Sequence, residues 1–541
     1  MSRRKKIWLT ILGSLFLAGV AGIYITTSIL AKKIEPFLRD QAIAYLRDRF
    51  QSEVELAALR LKIPKLSPLQ LYRTRGVGSI VRVTGDGLSL KWHGEAHRAP
   101  LFAIGKFSFE VDLGSLWDRK PIVRHIALDN MTIAIPPKDE RPSMKQSETQ
   151  TGQPGPKTTI EDVVIRRAKL TILPKDASKK PLDFDIAELK LTAKPGQPAM
   201  HYDAKLTNPK PPGEIDSSGD FGPWNAGEPG GTPLSGQYIF NNADLGIFSG
   251  IAGILHSTGK FSGTLDELNV TGEAEVPDFR LKMSGNRVPL KTQFEALVDG
   301  TNGNTVLQPV KALLGSTRFT TSGAIIKHEG DKRRDITLDV LMPKGNMRDL
   351  LRLATKGPLF MEGMINLKTR VAIPPLTGRV KEKLLLDGRF EVTNGHFLKS
   401  NIQDQIDNLS RKGQGQPQNE EVDEVFSTMR GKFRLENEIL RFSSLTFGVP
   451  GADVDIAGIY NLAADNLDFH GALKLQAKVS QTQTGWKRWA LKPVDPFFAK
   501  NGAGTFLKIK IEGPSKKPSF GLDRGSHDEE AVRARKASQA R

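Results

Sequence analysis

Apolar and polar positions follow two different rhythms along this chain. Residues 7–31 carry no ionisable side chain, and four basic residues (Arg3, Arg4, Lys5, Lys6) precede them while Lys32 and Lys33 follow. Twenty-five such residues at about 1.5 Å rise exceed the roughly 30 Å of a bilayer core, so this segment is expected to span a membrane once. Ile7, Trp8, Leu12, Phe16, Val20, Ile23, Ile25 and Leu30 form the expected anchor. The basic flank places residues 1–6 in the cytoplasm and the bulk across the membrane. A cleaved signal peptide is the rival reading, but its apolar core would stop after about 7–15 residues, whereas this one continues through Ile29 and Leu30. Residues 34–50 then place Ile34, Leu38, Ala42, Tyr45, Leu46 and Phe50 at the spacing of an amphipathic helix.

Beyond residue 50 the rhythm changes to alternation, in short runs ended by Gly, Pro, Asn or Asp, and this predicts a strand-rich chain as far as residue 513. Phe107, Phe109, Val111 and Leu113 share one strand face, as do Ile133 with Ile135, Leu170 with Ile172, and Leu473 with Leu475. One stretch recurs: IVRHIALDNMTIAIPPKD, ending at Asp139, aligns without gaps on TIEDVVIRRAKLTILPKD, ending at Asp176, thirty-seven residues later. Each copy reads as a pair of strands, and a repeat of that kind suggests an array growing along one axis.

The breaks in the alternation set the expected organisation. Residues 136–158 are polar and 208–236 are dense in Pro and Gly, so both are expected as loops, and the polar gap 411–420 as another. Helix patterns cover 244–255, 346–354 with Asn346 as N-cap, and the neighbourhood of Ile402, Ile406 and Leu409, with Val422, Val425 and Phe426 forming a further short pattern. The division expected is 1–6 cytoplasmic, 7–31 transmembrane, 32–243 and 244–385 as two β regions, 386–513 as a C-terminal β region, and 514–541 as a disordered basic tail.

Composition narrows the function. Among 541 residues there is no cysteine, which excludes disulfides, iron–sulfur clusters and cysteine zinc sites. The net charge of +18 calls for an acidic partner, and for an exported, anchored chain anionic lipid fits better than nucleic acid. No basic–aromatic interleaving speaks for nucleic acid.

The arrangement resembles the AsmA family of bacterial envelope proteins, whose relatives include TamB. Residues 386–480 carry the resemblance most closely: Gly388-Arg-Phe390-Glu-Val392-Thr-Asn394-Gly395-His-Phe397, a helix, a polar gap, Phe426-Ser-Thr-Met429-Arg-Gly431-Lys-Phe433, then Gly451-Ala-Asp453-Val-Asp455-Ile456-Ala-Gly458 and Leu467-Asp-Phe469. Gly259-Lys-Phe261-Ser-Gly263-Thr-Leu265 is similar to repeats found across the same relatives. The Pro/Gly-rich 208–236 and the basic tail depart from the best-known members. The resemblance implies a mainly β fold, an elongated, twisted sheet curled into a repeating β-groove behind an N-terminal transmembrane helix, with a few short helices. It also implies a role in lipid delivery to the outer membrane.

Catalytic signatures are missing. Gly259-Lys260 is followed by Phe261 rather than Ser or Thr, His328-Glu329 lacks a second histidine four residues on, and no G-x-S-x-G occurs. His93, Glu95 and His97 share a strand face but read as a solvated strand end, and Asp453 with Asp455 as a wet face. The expectation is therefore a non-enzymatic, cofactor-free, single-pass inner-membrane protein facing the periplasm, with phospholipid as its partner and the alternating apolar positions above as the groove lining. A non-conducting assembly factor for outer-membrane proteins, pairing strands through exposed sheet edges, is the alternative.

Overall fold

The computed structural model describes residues 53–62, 79–91, 102–112, 122–135, 159–173, 181–223, 229–300, 302–328, 333–417, 425–484, 486–499 and 502–523, together with scattered positions between 36 and 47. Those scattered positions are helical, in line with the amphipathic pattern there. Residues 7–31 with their anchor side chains, Leu113, His93, Glu95, His97 and the connection 136–158 lie outside the described residues. Among the described residues no helix is long and apolar enough to cross a membrane.

The chain is mainly β and divides into two units, Met1–Asn241 with Lys260–Leu265, and Asn242–Gly259 with Asp266–Arg541. In the first unit the strands are β1 (Glu53–Lys62), β2 (Ile80–Lys91), β3 (Phe102–Asp112), β4 (Ile122–Ile135), β5 (Thr159–Ile160), β6 (Asp162–Ile172), β7 (Leu182–Ala193), β8 (Met200–Pro209), β9 (Pro212–Phe221) and β10 (Pro233–Asp244). Successive strands pair antiparallel with one exception, where β4 runs parallel to both β5 and β6.

That exception is the repeat. Ile126 pairs with Val163, Leu128 with Ile165, Ile133 with Leu170 and Ile135 with Ile172, so each residue of the first copy lies beside its equivalent in the second. The first copy is one strand, β4, and the second is β6 with the two-residue β5 before it, rather than a pair of full strands in each. At the Asp129-Asn130 step the chain runs on, with Asn130 left-handed at φ 55° and its equivalent Arg167 at φ 52°.

The second unit contains β11 (Ile251–Ala252), most of β12 (Ile254–Thr264), β13 (Glu267–Val276), β14 (Arg280–Leu281), β15 (Leu290–Val298), β16 (Thr305–Leu314), β17 (Thr317–Ile326) and β18 (Asp335–Asn346). It continues with β19 (Met361–Ile373), β20 (Leu385–Phe397), β21 (Ser427–Glu436), β22 (Ile439–Val449), β23 (Ala452–Asn461), β24 (Asn466–Leu475), β25 (Thr505–Pro514) and β26 (Ser519–Leu522). From β15 to β26 each strand pairs antiparallel with the next. Helices α1 (Met347–Ala354) and α3 (Ser400–Gly413) join strands at one end of this sheet; the shorter α2 (Val380–Lys383) lies in the β19–β20 connection at the other. Asn346 caps α1 as its sequence predicts, its side chain accepting the Arg348 N–H.

Four expectations need correction. Residues 208–236, expected as a loop, contain β9, which is paired on both sides. Pro212 occupies the strand's first position, and Pro211 lies in the turn, so neither missing N–H interrupts the ladder. Residues 244–255, expected as a helix, form a single 3-10 turn capped by Asp244, then β11 and the start of β12, because the apolar residues there serve two short strands. The tail expected from residue 514 includes β26, paired with β25, since Phe520 and Leu522 extend the apolar alternation. Val425 and Phe426 are not helical but lead directly into β21.

Candidate functional site

Register decides which side chains share a face, and in both units it gathers the apolar ones on a single side. In the first unit Leu56 pairs with Leu88, Leu88 with Ile104 and Ala168 with Ile186; Ile104, Met131 and Ala168 form one buried cluster. A second row, Leu59, Gly85, Phe107, Leu128, Ile165 and Leu189, runs beside it through direct pairing. The two rows are separated in every strand by two residues instead of one. Leu88, Phe102, Phe107, Leu128, Ile133, Ile165 and Ile186 all pack on the same cluster, so the face is continuous across this change of phase. Left-handed Gly87 (φ 63°), Asn130 and Arg167 lie in the gap. A crease, where the alternation skips one residue in each strand while the register is kept, therefore crosses six strands, and the chain alternates with opposite parity on its two sides.

The opposite face is charged. Arg60 with Asp86 (2.8 Å), Lys91 with Glu55 (2.8 Å) and Arg82 with Glu110 (2.5 Å) pair across strands, and Arg167 bonds Asp129. Exposed pairs of this kind contribute about 0–1 kcal/mol each, so they set register and solubility more than stability. Tyr202, 6% exposed, brings one hydroxyl onto the apolar side, where it lies 3.0 Å from Ser217 Oγ. Burial pushes its phenol pKa up.

In the second unit the apolar side has a covered part and an open part. Met347, Leu350 and Leu351 of α1 pack over Met342, Met361, Ile365 and Val392, the last fully buried. Ile402, Ile406 and Leu409 of α3 pack over Val449, Ala452, Leu473 and Leu475. Farther along the same strands Ile336, Leu338, Val371, Ile373 and Leu386 are half-buried, and among the described residues no helix packs over them as α1 and α3 do. Between the two parts stands a ladder of rings: Phe390 lies 6.1 Å from Phe433 and 6.4 Å from Phe442, and Phe442 lies 5.8 Å from Phe469. These distances suit favourable aromatic pairs, worth about 0.5–1.5 kcal/mol each beyond burial.

Glycines sit among the rings on that side. A Cβ on Gly458 would lie 2.1 Å from the Asp468 carbonyl oxygen, and one on Gly471 2.0 Å from that of Asp455. No side chain fits at either position. At the far end, α2 comes to Gly250: a Cβ there would meet the Val380 methyls at 3.7 Å, ordinary contact.

The residues proposed from alternation fall on these faces as follows. Phe107, Phe109, Val111, Ile133, Ile135, Leu170 and Ile172 all lie on the apolar side of the first unit, paired with Gly85, Val83, Val81, Phe102 or one another. Leu473 and Leu475 lie under α3 rather than in the open part. Sequence reasoning missed Phe102, Ile104, Leu88 and Leu128, although the apolar spacing i, i+3 inside alternating runs marks each crease.

Two polar clusters bear on chemistry. Asp455 accepts from Lys474 Nζ (2.8 Å) and Thr446 Oγ1 (2.9 Å), which holds its carboxyl below the ordinary range, and it lies with Asp453 on the charged side. Asp468, His470 and Glu512 bring their ligand atoms within 4.8 Å. Both ring nitrogens of His470 are engaged by carboxylates, Nδ1 by Asp523 and Nε2 by Asp468, each at 3.0 Å. Burial disfavours the charged ring, but the two carboxylates outweigh it and raise the pKa. This geometry makes an ion-paired clasp on the β26 end of the sheet.

No protein-family model, no curated protein and no solved structure matches the chain.

Proposed function

We propose that the protein is a phospholipid-binding or phospholipid-conducting envelope protein of the AsmA type. In this reading residues 7–31 anchor it in the inner membrane, residues 1–6 are cytoplasmic, and the β units face the periplasm, where they support outer-membrane biogenesis and integrity. Each sheet curls into a groove whose apolar side holds acyl chains while headgroups stay in water beyond the rim. The observation that carries the reading is the row-to-row continuity of apolar side chains over consecutive strands, half-buried beyond α1 and α3. The seam of glycines supports the curl, since a sheet coiling toward one side leaves no room there for side chains. The approach of α2 to Gly250 supports it too, bringing elements from opposite strand ends together on the apolar side.

Such a surface suits movement as well as binding. Each methylene kept from water is worth about 0.8 kcal/mol, so a chain sliding from one apolar row to the next exchanges like for like. Direction then comes from outside the groove. The test is native mass spectrometry with lipid extraction on the full chain in detergent. Co-purified phospholipid that is lost when Phe107, Val111, Ile133 and Ile172 are changed to Asp supports the reading. A folded, lipid-free protein that still restores envelope integrity in a deletion strain would sink it and favour an assembly role.

A further inference from the structure

At the open ends of β18, β19 and β20, cations converge on backbone carbonyls. Arg333 Nη1 donates to the carbonyls of Gly378 (3.1 Å) and Leu376 (3.3 Å), and Lys383 Nζ donates to the same Leu376 carbonyl at 2.8 Å. Neighbouring Arg334 donates to the Gly303 carbonyl (2.8 Å), the Asn302 carbonyl (2.6 Å) and Asn304 Oδ1 (3.2 Å). Among the described residues none of the three meets a carboxylate. Of the described acids in these connections, Glu382 is engaged by Arg379 (2.6 Å) and Glu438 by Lys381 (2.7 Å), while Asp335 lies 3.8 Å from His328.

One carbonyl oxygen shared by two full positive charges is satisfied as a hydrogen-bond acceptor but brings them no negative charge. Burial, and after it the Arg333 guanidinium, push the Lys383 pKa down, the response of an ammonium lacking a counter-ion. The surroundings are amphipathic. Leu376 is 60% exposed, and Ile336 and Leu386, which start the open apolar rows, follow Arg333 and Lys383 by three residues each, with Ile373 paired to Ile336.

We propose that Arg333 and Lys383 bind an anionic phosphate group, that of a phospholipid whose acyl chains lie on the adjoining apolar face. Arginine supplies a planar fork for two phosphate oxygens and lysine a point charge, both already held in place by the 376–378 carbonyls. The phosphate would turn a like-charge contact into an attractive triad. Leu376 would meet the glycerol and first methylenes. The site rests on the lipid-binding reading above and assigns the headgroup end to the rim formed by β18, β19 and β20.

The experiment compares phosphatidylglycerol with diacylglycerol of identical chains, competing for the full-length protein in detergent, with native mass spectrometry as readout. The wild type should favour phosphatidylglycerol by about tenfold or more, the worth of one charge-assisted contact. The R333Q/K383Q double variant should lose that preference while taking up diacylglycerol unchanged, and the charge-keeping R333K/K383R variant should retain it. Thermal melting of each variant checks the fold. A preference unchanged in R333Q/K383Q would overturn the site and leave the apolar-face reading standing. Uptake of neither lipid by the wild type would sink the apolar-face reading, and the lipid assignment with it. A separate titration with inorganic phosphate distinguishes the sources: stabilisation of the wild type but not of the double variant, without lipid uptake, would assign the cations to free phosphate and overturn the lipid headgroup.

Discussion

Phe442 offers the sharpest perturbation, because its ring touches three others and stands where the covered part of the second unit gives way to the open part. Replacing it with Asp puts a charge in the middle of the apolar rows. An acyl chain crossing the strands spends about 4.8 Å over each, room for about four methylenes. At about 0.8 kcal/mol per methylene, losing one strand's worth of cover weakens binding by about 3 kcal/mol, roughly two orders of magnitude in Kd. Phe442→Leu keeps an apolar surface and should shift Kd by less than about fivefold, about 1 kcal/mol. The assay is equilibrium binding of a fluorescent phospholipid to the full chain, with denaturant melting to show that each variant folds. The variant also loses up to three ring pairs, so a stability loss of about 2 kcal/mol accompanies the binding loss. A folded Phe442→Asp protein that binds within about threefold of wild type, a difference below about 1 kcal/mol, refutes the placement of acyl chains over this row.

Other residues separate packing from binding. Val392 is fully buried beneath α1, so Val392→Ala should destabilise the second unit by about 2 kcal/mol with lipid affinity unchanged, measured by denaturant midpoint and the same binding assay. Gly471→Ala forces a Cβ into the Asp455 carbonyl; a stability loss of at least about 1–3 kcal/mol is expected, and a neutral result would show that the strands there are not so close. His470 has a raised pKa, so its clasp contributes stability that is fully present below the unfolded-state value of about 6.5 and is lost as pH rises through the higher folded value. His470→Gln should therefore lower the melting temperature at pH 5.5 and have little effect at pH 9, and an equal effect at both would remove the charge from the account.

Strand content was readable because alternation is a local signal. Runs such as Phe107-Ser-Phe109-Glu-Val111 carry their face assignment in the sequence, and register then places them opposite Gly85, Val83 and Val81. The aligned creases were not read, because a two-residue gap between apolar positions breaks period-2 counting. Leu56 and Leu59, Ile104 and Phe107, and Leu128 and Met131 look like a phase error in each strand alone. Only pairing shows that the errors line up. Residues 208–236 misled because Pro and Gly usually mark loops, yet Pro211, Pro212 and Pro233 occupy a turn and two strand starts where a ladder tolerates them. The thirty-seven-residue repeat was visible, but that its copies would pair side by side in parallel was not, since nothing local encodes strand direction. The Arg333 and Lys383 site was equally hidden: fifty residues separate the two in sequence, and the carbonyl that joins them belongs to the backbone.

The most direct test of the central claim is site-specific photocrosslinking in cells, with the probe placed in turn at neighbouring positions on opposite faces of one strand. Leu338, Leu386 and Ile509 lie on the apolar side, and Asp339, Asp387 and Lys510 on the charged side. Lipid adducts at the first three and none at the second three are the predicted result. Adducts equal on both faces, or protein adducts alone on the apolar face, would contradict it.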